Sequence, residues 1–139
     1  MDLSLLWPAI ALVGLTFVVW CVMYVLRLRF MARERIAPDE LASRTRLAER
    51  LAPVSAPANN FQNLLELPVL FYAFVALAMV GGHSGPGFAA AAWAFVGLRA
   101  VHSLIHCTYN KVGHRFVVYI AGALVLWGMW AALAIAHLA

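Results

Sequence analysis

Charge is scarce in this 139-residue chain: Asp, Glu, Lys and Arg make up 12% of it, against 65% hydrophobic residues. The mean hydropathy is +0.86. So much apolar surface excludes a small soluble domain, whose core could not bury it. Cysteine is nearly absent. Cys21 and Cys107 fall within or at the end of apolar runs, which excludes a disulfide framework and leaves two thiols that behave as small apolar side chains. The start, Met1-Asp2, lacks the basic n-region of a secretory signal, and the apolar run after it is too long for one, so that run is expected to remain as a span. Internal repeats, low-complexity tracts and basic patches interleaved with aromatics are all missing. Nucleic acid is therefore not an expected partner.

What is present are four long apolar stretches. Leu3 to Leu26 carries no charge at all, and a helix of that length crosses the roughly 30 Å hydrocarbon layer of a bilayer. With the three others it predicts transmembrane spans at about residues 5–26, 59–80, 88–109 and 116–138, and a polar loop at about 27–58. The expected fold is an all-α integral membrane protein, a four-helix transmembrane bundle forming one domain over residues 1–139. Arg27, Arg29, Arg33, Arg35, Arg44, Arg46 and Arg50 lie between spans one and two, and Lys111 and Arg115 between spans three and four. The positive-inside rule makes both loops cytoplasmic and the glycine-rich turn Gly81-Gly82-His83-Ser84-Gly85-Pro86-Gly87 external. A bacterial inner membrane fits a compact helical chain, since outer-membrane spans are barrels. Within the long loop, Pro38-Asp39-Glu40 opens a short helical stretch expected to run through Arg50, before Pro53 and Pro57 break it.

Two of the spans carry polar residues where lipid should be. Asn59, Asn63 and Glu66 are spaced i, i+4, i+7 on span two, and Arg99, His102 and His106 are spaced i, i+3, i+7 on span three. Each set forms a stripe on one helical face. An ionisable side chain at membrane depth costs a few kcal/mol even on lenient scales, and so is expected to face a wet cavity or a partner. Glu66 and Arg99 are the natural pair. With Arg27 and Arg115 at the same membrane boundary, the stripes outline a cationic, amide-lined pocket with one carboxylate. Its chemistry suits a small anion that also offers an ammonium or amide group.

The same residues admit plainer roles. Glu66 and Arg99 could be a buried ion pair that only sets helix register, and Asn63 an amide that only joins helices. Asn59 and Asn60 are placed to cap a helix at the interface, and Arg27, Arg29, Lys111 and Arg115 to anchor topology. His102 and His106 have the spacing of a metal or haem ligand pair, but Arg99 one turn away repels cations, so no metal is expected. Tyrosines and tryptophans read as interface and packing residues. His83 and His137 read as loop and terminal residues.

In order and spacing these pieces resemble the MAPEG family, the membrane-associated proteins in eicosanoid and glutathione metabolism. The likeness is to members of the microsomal glutathione transferase and prostaglandin E synthase type, in a bacterial-like form. It is carried by Arg27-Leu28-Arg29 with Ala37-Pro38-Asp39-Glu40, by Asn63-x-x-Glu66 followed by Pro68, and by Arg99-x-x-His102 with Arg115 after it. The resemblance covers nearly the whole chain. It implies a homotrimer with glutathione as co-substrate, bound between subunits in sites open to the cytoplasm. It also implies a lipophilic second substrate arriving through membrane lipid. Carried over, Arg27, Asn63, Glu66, Arg99 and His102 bind glutathione, and Arg115 stabilises its thiolate for transferase or peroxidase chemistry. His106 stands where the family's enzymes have a tyrosine, and Tyr109 lies one turn further, so both join the binding set. Gln62 and Asn59 stand where the eukaryotic enzymes have arginines. Loss of those charges leaves open the alternative of a non-catalytic membrane scaffold or lipid-binding subunit.

Overall fold

The computed structural model describes residues 3–138; Met1 and Asp2, on which the reading of the N-terminus rests, and Ala139 lie outside the described residues. The described chain is helical, with four segments long and apolar enough to cross a membrane.

The first helix, α1 (Leu6–Glu34), runs 29 residues, roughly 43 Å at the usual helical rise. It passes its expected end at residue 26 because Arg27 to Glu34 are mostly good helix formers with neither Gly nor Pro among them. It stops where Arg35 turns left-handed at φ 54° and its N–H returns to the Met31 carbonyl. The expected helical stretch from Pro38 to Arg50 proves to be two pieces, a 3-10 turn at Pro38–Leu41 and α2 (Arg44–Arg50). Ser43 separates them. Its hydroxyl accepts from the Arg46 N–H at 3.2 Å, so the sequence restarts a helix there instead of continuing one. An Arg50–Glu40 ion pair ties α2 back to the 3-10 turn.

Span two is broken into α3 (Ala56–Asn63) and α4 (Leu67–Val80). Pro68 is the cause: it has no N–H to give the Leu64 carbonyl, and its ring crowds that carbonyl. Across the break, Leu65 bonds Gln62 at 2.9 Å and Val69 bonds Glu66 at 3.1 Å, the tighter three-residue pattern. The last two spans are α5 (Pro86–Cys107) and α6 (Val112–Leu138). The first ends two residues before the expected limit and the second begins four before its own, so Tyr109 is outside any helix and Arg115 inside one.

Packing follows the antiparallel connections. The α5 and α6 helices form the most extensive pairing, and α1 rests on α3, α4 and α5. Leu12, Phe71, Phe74, Phe95 and Leu126 are fully buried at the centre. Phe71 stacks on Phe95 at 4.9 Å between centroids, and Trp130 meets Phe74 edge-on at 5.8 Å. Outward, Trp7, Phe17, Trp127, Leu124 and Ile135 are exposed, as the surface of a helix bundle solvated by lipid should be. An apolar groove of about 540 Å³ runs between α5 and α6, lined by Phe88, Ala91, Leu124 and Gly128 among others. It holds no group for polar chemistry.

Candidate functional site

Three of the expected site residues meet at one small pocket. Asn63 from the end of α3, His102 from α5 and Arg115 from α6 line a cavity of about 170 Å³ with Val112, Phe116 and Tyr119. The break before Pro68 ends α3 at Asn63, and the short α5–α6 connection turns the chain so that Arg115 falls beside His102. The His102 Nδ1 lies 3.1 Å from the Arg115 carbonyl oxygen. A carbonyl only accepts, so Nδ1 carries the proton and Nε2 keeps its lone pair. That Nε2 is buried and unpartnered. The Arg115 side chain is half-exposed, with Nη1 donating to Asn110 Oδ1 at 2.5 Å. Asn110 adopts φ 49° in the turn, a left-handed conformation that asparagine tolerates better than most residues.

Arg99 lies behind this pocket, 1% exposed, and none of its three guanidinium nitrogens has a hydrogen-bond partner. Its Cζ sits 4.7 Å from the Tyr119 ring centroid and 5.3 Å from that of Phe95. Gly122 makes the room: a Cβ there would come within 3.3 Å of Arg99 Nη2. Aromatic faces attract a desolvated cation by about 2 kcal/mol, less than the several kcal/mol that burying it costs. The aromatic rings thus offset only part of the cost of burying the Arg99 charge.

Glu66 makes no direct ion pair with Arg99, although it lies close enough to act on the guanidinium electrostatically. It is exposed at the helix break, with an irregular backbone of φ −95° and ψ −95°. The ion pairs among the described residues are Arg33–Glu34 and Arg50–Glu40. The break before Pro68 leaves Glu66 outside both α3 and α4, so it no longer follows the regular helical stripe of Asn59 and Asn63. The second stripe also divides. His106 is 2% exposed, with an unpartnered Nδ1 and its ring edge-on to His102 at 5.6 Å between centroids. It packs beside the pocket without lining it. Tyr109 is 59% exposed and hydrogen-bonds His114 at 3.2 Å, away from the pocket, because α5 has already ended.

Arg27 belongs to a different cavity. It is half-buried, with an unpartnered Nε, and lines a space of about 640 Å³ with Ser55, Asn59 and Gln62, walled by Met23, Leu47, Leu51 and Phe61. Among the described residues, none lines both cavities. Asn59 and Asn63 thus face different spaces despite sharing a helical stripe. Asn60 is no cap: it is fully buried inside α3, its Oδ1 accepting from Ser103 at 3.4 Å and its amide nitrogen reaching Cys107 Sγ at 3.5 Å. The interhelical amide is Asn60, not Asn63. Tyr119 was not singled out in the sequence, although it follows Arg115 by four residues and so shares its helix face.

Neither the curated proteins nor the solved structures contain a match to this chain. The family model described as the MAPEG family matches residues 5–135. With four membrane-crossing helices and that match along nearly its whole length, this multi-pass integral membrane protein belongs to the MAPEG family.

Proposed function

We propose that the protein is a glutathione-dependent transferase or peroxidase acting on lipophilic electrophiles or lipid hydroperoxides. The observation that carries this reading is the meeting of Asn63, His102, Arg115 and Tyr119 around one pocket, with the unpaired charge of Arg99 behind it. The Arg115 guanidinium beside a bound thiol favours the thiolate, as cations do for cysteine. Ionisation sends the thiol proton to water. The thiolate sulfur then attacks an electrophilic carbon, forming a C–S bond as a leaving group departs with its electron pair. With a hydroperoxide, sulfur attacks the terminal oxygen and the O–O bond breaks. The lipid leaves as an alcohol after protonation, and a second glutathione converts the sulfenic acid to disulfide and water.

Site size supports a shared arrangement. At about 170 Å³ the pocket is below the range that holds small molecules, about 300 Å³ and upward. Arg27, Asn59 and Gln62 line a separate cavity, so a glutathione that engages both sets is more simply placed where a neighbouring copy supplies Arg27. A homotrimer with sites between subunits meets that need. In this reading Arg27, Asn63, Arg99 and His102 bind glutathione, Glu66 reaches its ammonium group from the helix break, and His106 supports His102. Tyr109 drops to the rim. Every Lys and Arg except Arg99 lies in the loops or helix ends of one side, which supports placing that side in the cytoplasm of a bacterial cell, with the chain in the inner membrane.

A second reading, a MAPEG scaffold or lipid-binding subunit without turnover, is favoured by one observation: Arg115 is already engaged by Asn110. Conjugation of an aryl halide and reduction of a fatty-acid hydroperoxide by the detergent-purified oligomer separate the two. Turnover with glutathione that is lost in Arg115→Ala supports the enzyme. Saturable lipid binding with no turnover at millimolar glutathione supports the scaffold.

A further inference from the structure

His83, in the turn after α4, and His137, in the last turn of α6, come together at the end of the bundle opposite Arg115. Their ring centroids are 4.6 Å apart and the planes are tilted by 51°. The turn that delivers His83 closes with Gly82 at φ 75° and with the His83 N–H on the Ala78 carbonyl at 2.8 Å. Gly81 leaves a hollow between the rings. A Cβ there would lie 3.1 Å from His83 Cδ2, and 3.0 and 3.2 Å from His137 Cε1 and Nε2. The hollow is therefore bordered by an edge of each ring that includes or adjoins Nε2. His137 Nδ1 is 3.2 Å from the Leu133 carbonyl oxygen, which fixes the ring proton there and frees Nε2. Metal-binding imidazoles are held in this way, one nitrogen donating to a carbonyl and the other facing the ion.

Charge separates this pair from the other histidine pair. His102 and His106 share their surroundings with Arg99 and Arg115, whereas no Lys or Arg occurs in the sequence around His83 or His137. Among the described residues no group of three or more His, Cys, Asp or Glu side chains gathers. A site here thus has two protein ligands, and water completes it. His83 is half-buried and His137 exposed, open to ions from solution.

We propose that His83 and His137 bind one first-row divalent transition-metal ion over Gly81, with Cu²⁺ held most tightly among such ions. The bound ion links the α4–α5 turn to the end of α6, and the linkage is independent of the glutathione site.

The test is Cu²⁺ added at one equivalent per chain to the tag-free, chelator-stripped oligomer in detergent, read by electron paramagnetic resonance and by thermal unfolding. The expected spectrum shows two nitrogen ligands, and the ion raises the unfolding midpoint. His83→Gln and His137→Gln each lose one nitrogen and the midpoint shift. Gly81→Ala, which keeps both ligands but fills the hollow, weakens binding. Circular dichroism confirms that each variant stays helical; His83→Gln sits in the turn and decides the matter if His137→Gln unfolds. No binding by the wild type overturns the proposal, as does a two-nitrogen spectrum unchanged in both glutamine variants.

Discussion

The Arg99 guanidinium lies 4.7 Å from the Tyr119 ring centroid, buried beneath it, and none of its nitrogens is hydrogen-bonded. Within a membrane bundle this costs more than the ring returns, and the imbalance is what makes the position informative. In the proposed function, a bound anion would supply the compensation that the rings do not.

Arg99→Met is therefore expected to keep the ligand-free protein as stable as the wild type or to stabilise it, by about 1–4 kcal/mol. Met fills a similar length without charge. The same variant is expected to weaken glutathione binding. Thermal unfolding and a ligand titration on the same preparation check both halves, and a fall of several degrees in the ligand-free midpoint would show that Arg99 is structural.

Asn60 joins α3 to α5 through Ser103 and Cys107. Interhelical polar bonds in membranes contribute about 1 kcal/mol each. Asn60→Ala should lower the unfolding midpoint measurably while leaving thiol chemistry intact. Loss of glutathione binding without loss of stability would move Asn60 from the fold into the site.

Pro68→Ala restores an N–H that can reach the Leu64 carbonyl. The expected result is a more continuous α3–α4 helix, seen as slower amide exchange between residues 64 and 68. Asn63 and Glu66 turn away from their present positions, and glutathione affinity falls by about tenfold, or 1.4 kcal/mol. Unchanged exchange at the break would mean that packing, and not Pro68, holds it open.

The Ala37 N–H at 3.0 Å and the Arg50 side chain hold the Glu40 carboxyl below its ordinary value of 4.5. A lowered acid adds stability above the unfolded value and loses it as the pH falls through the folded one. The loop from Pro38 to Arg50 should therefore stay closed at neutral pH and loosen below 4.5. Limited proteolysis across that range reads the change, and Glu40→Gln should abolish the pH step.

Much of the fold was legible because hydropathy speaks directly about membrane spans: four apolar runs became four crossing segments. Helix ends were less so. α1 runs past its expected limit because arginines are good helix formers, and α5 stops before Tyr109 because the turn at Asn110 takes over. The site was legible in part. His102, Asn63 and Arg115 line one pocket, but stripes drawn on ideal helices did not anticipate the break before Pro68, where Glu66 approaches Arg99 without a direct ion pair. Tyr119 went unnoticed because a tyrosine in an apolar helix looks like packing until its neighbour is known to be Arg115. The pairing of His83 with His137 is tertiary, and no local pattern announces it.

In the proposed function, Arg115 turns bound glutathione into a thiolate. The most direct test is ultraviolet difference absorbance in the thiolate band during glutathione titration of the detergent-purified oligomer, for the wild type and for Arg115→Ala. A saturable thiolate signal in the wild type, lost or shifted to higher pH in the variant, is the predicted result. Glutathione that binds with no thiolate signal, or a signal that survives Arg115→Ala, would contradict it.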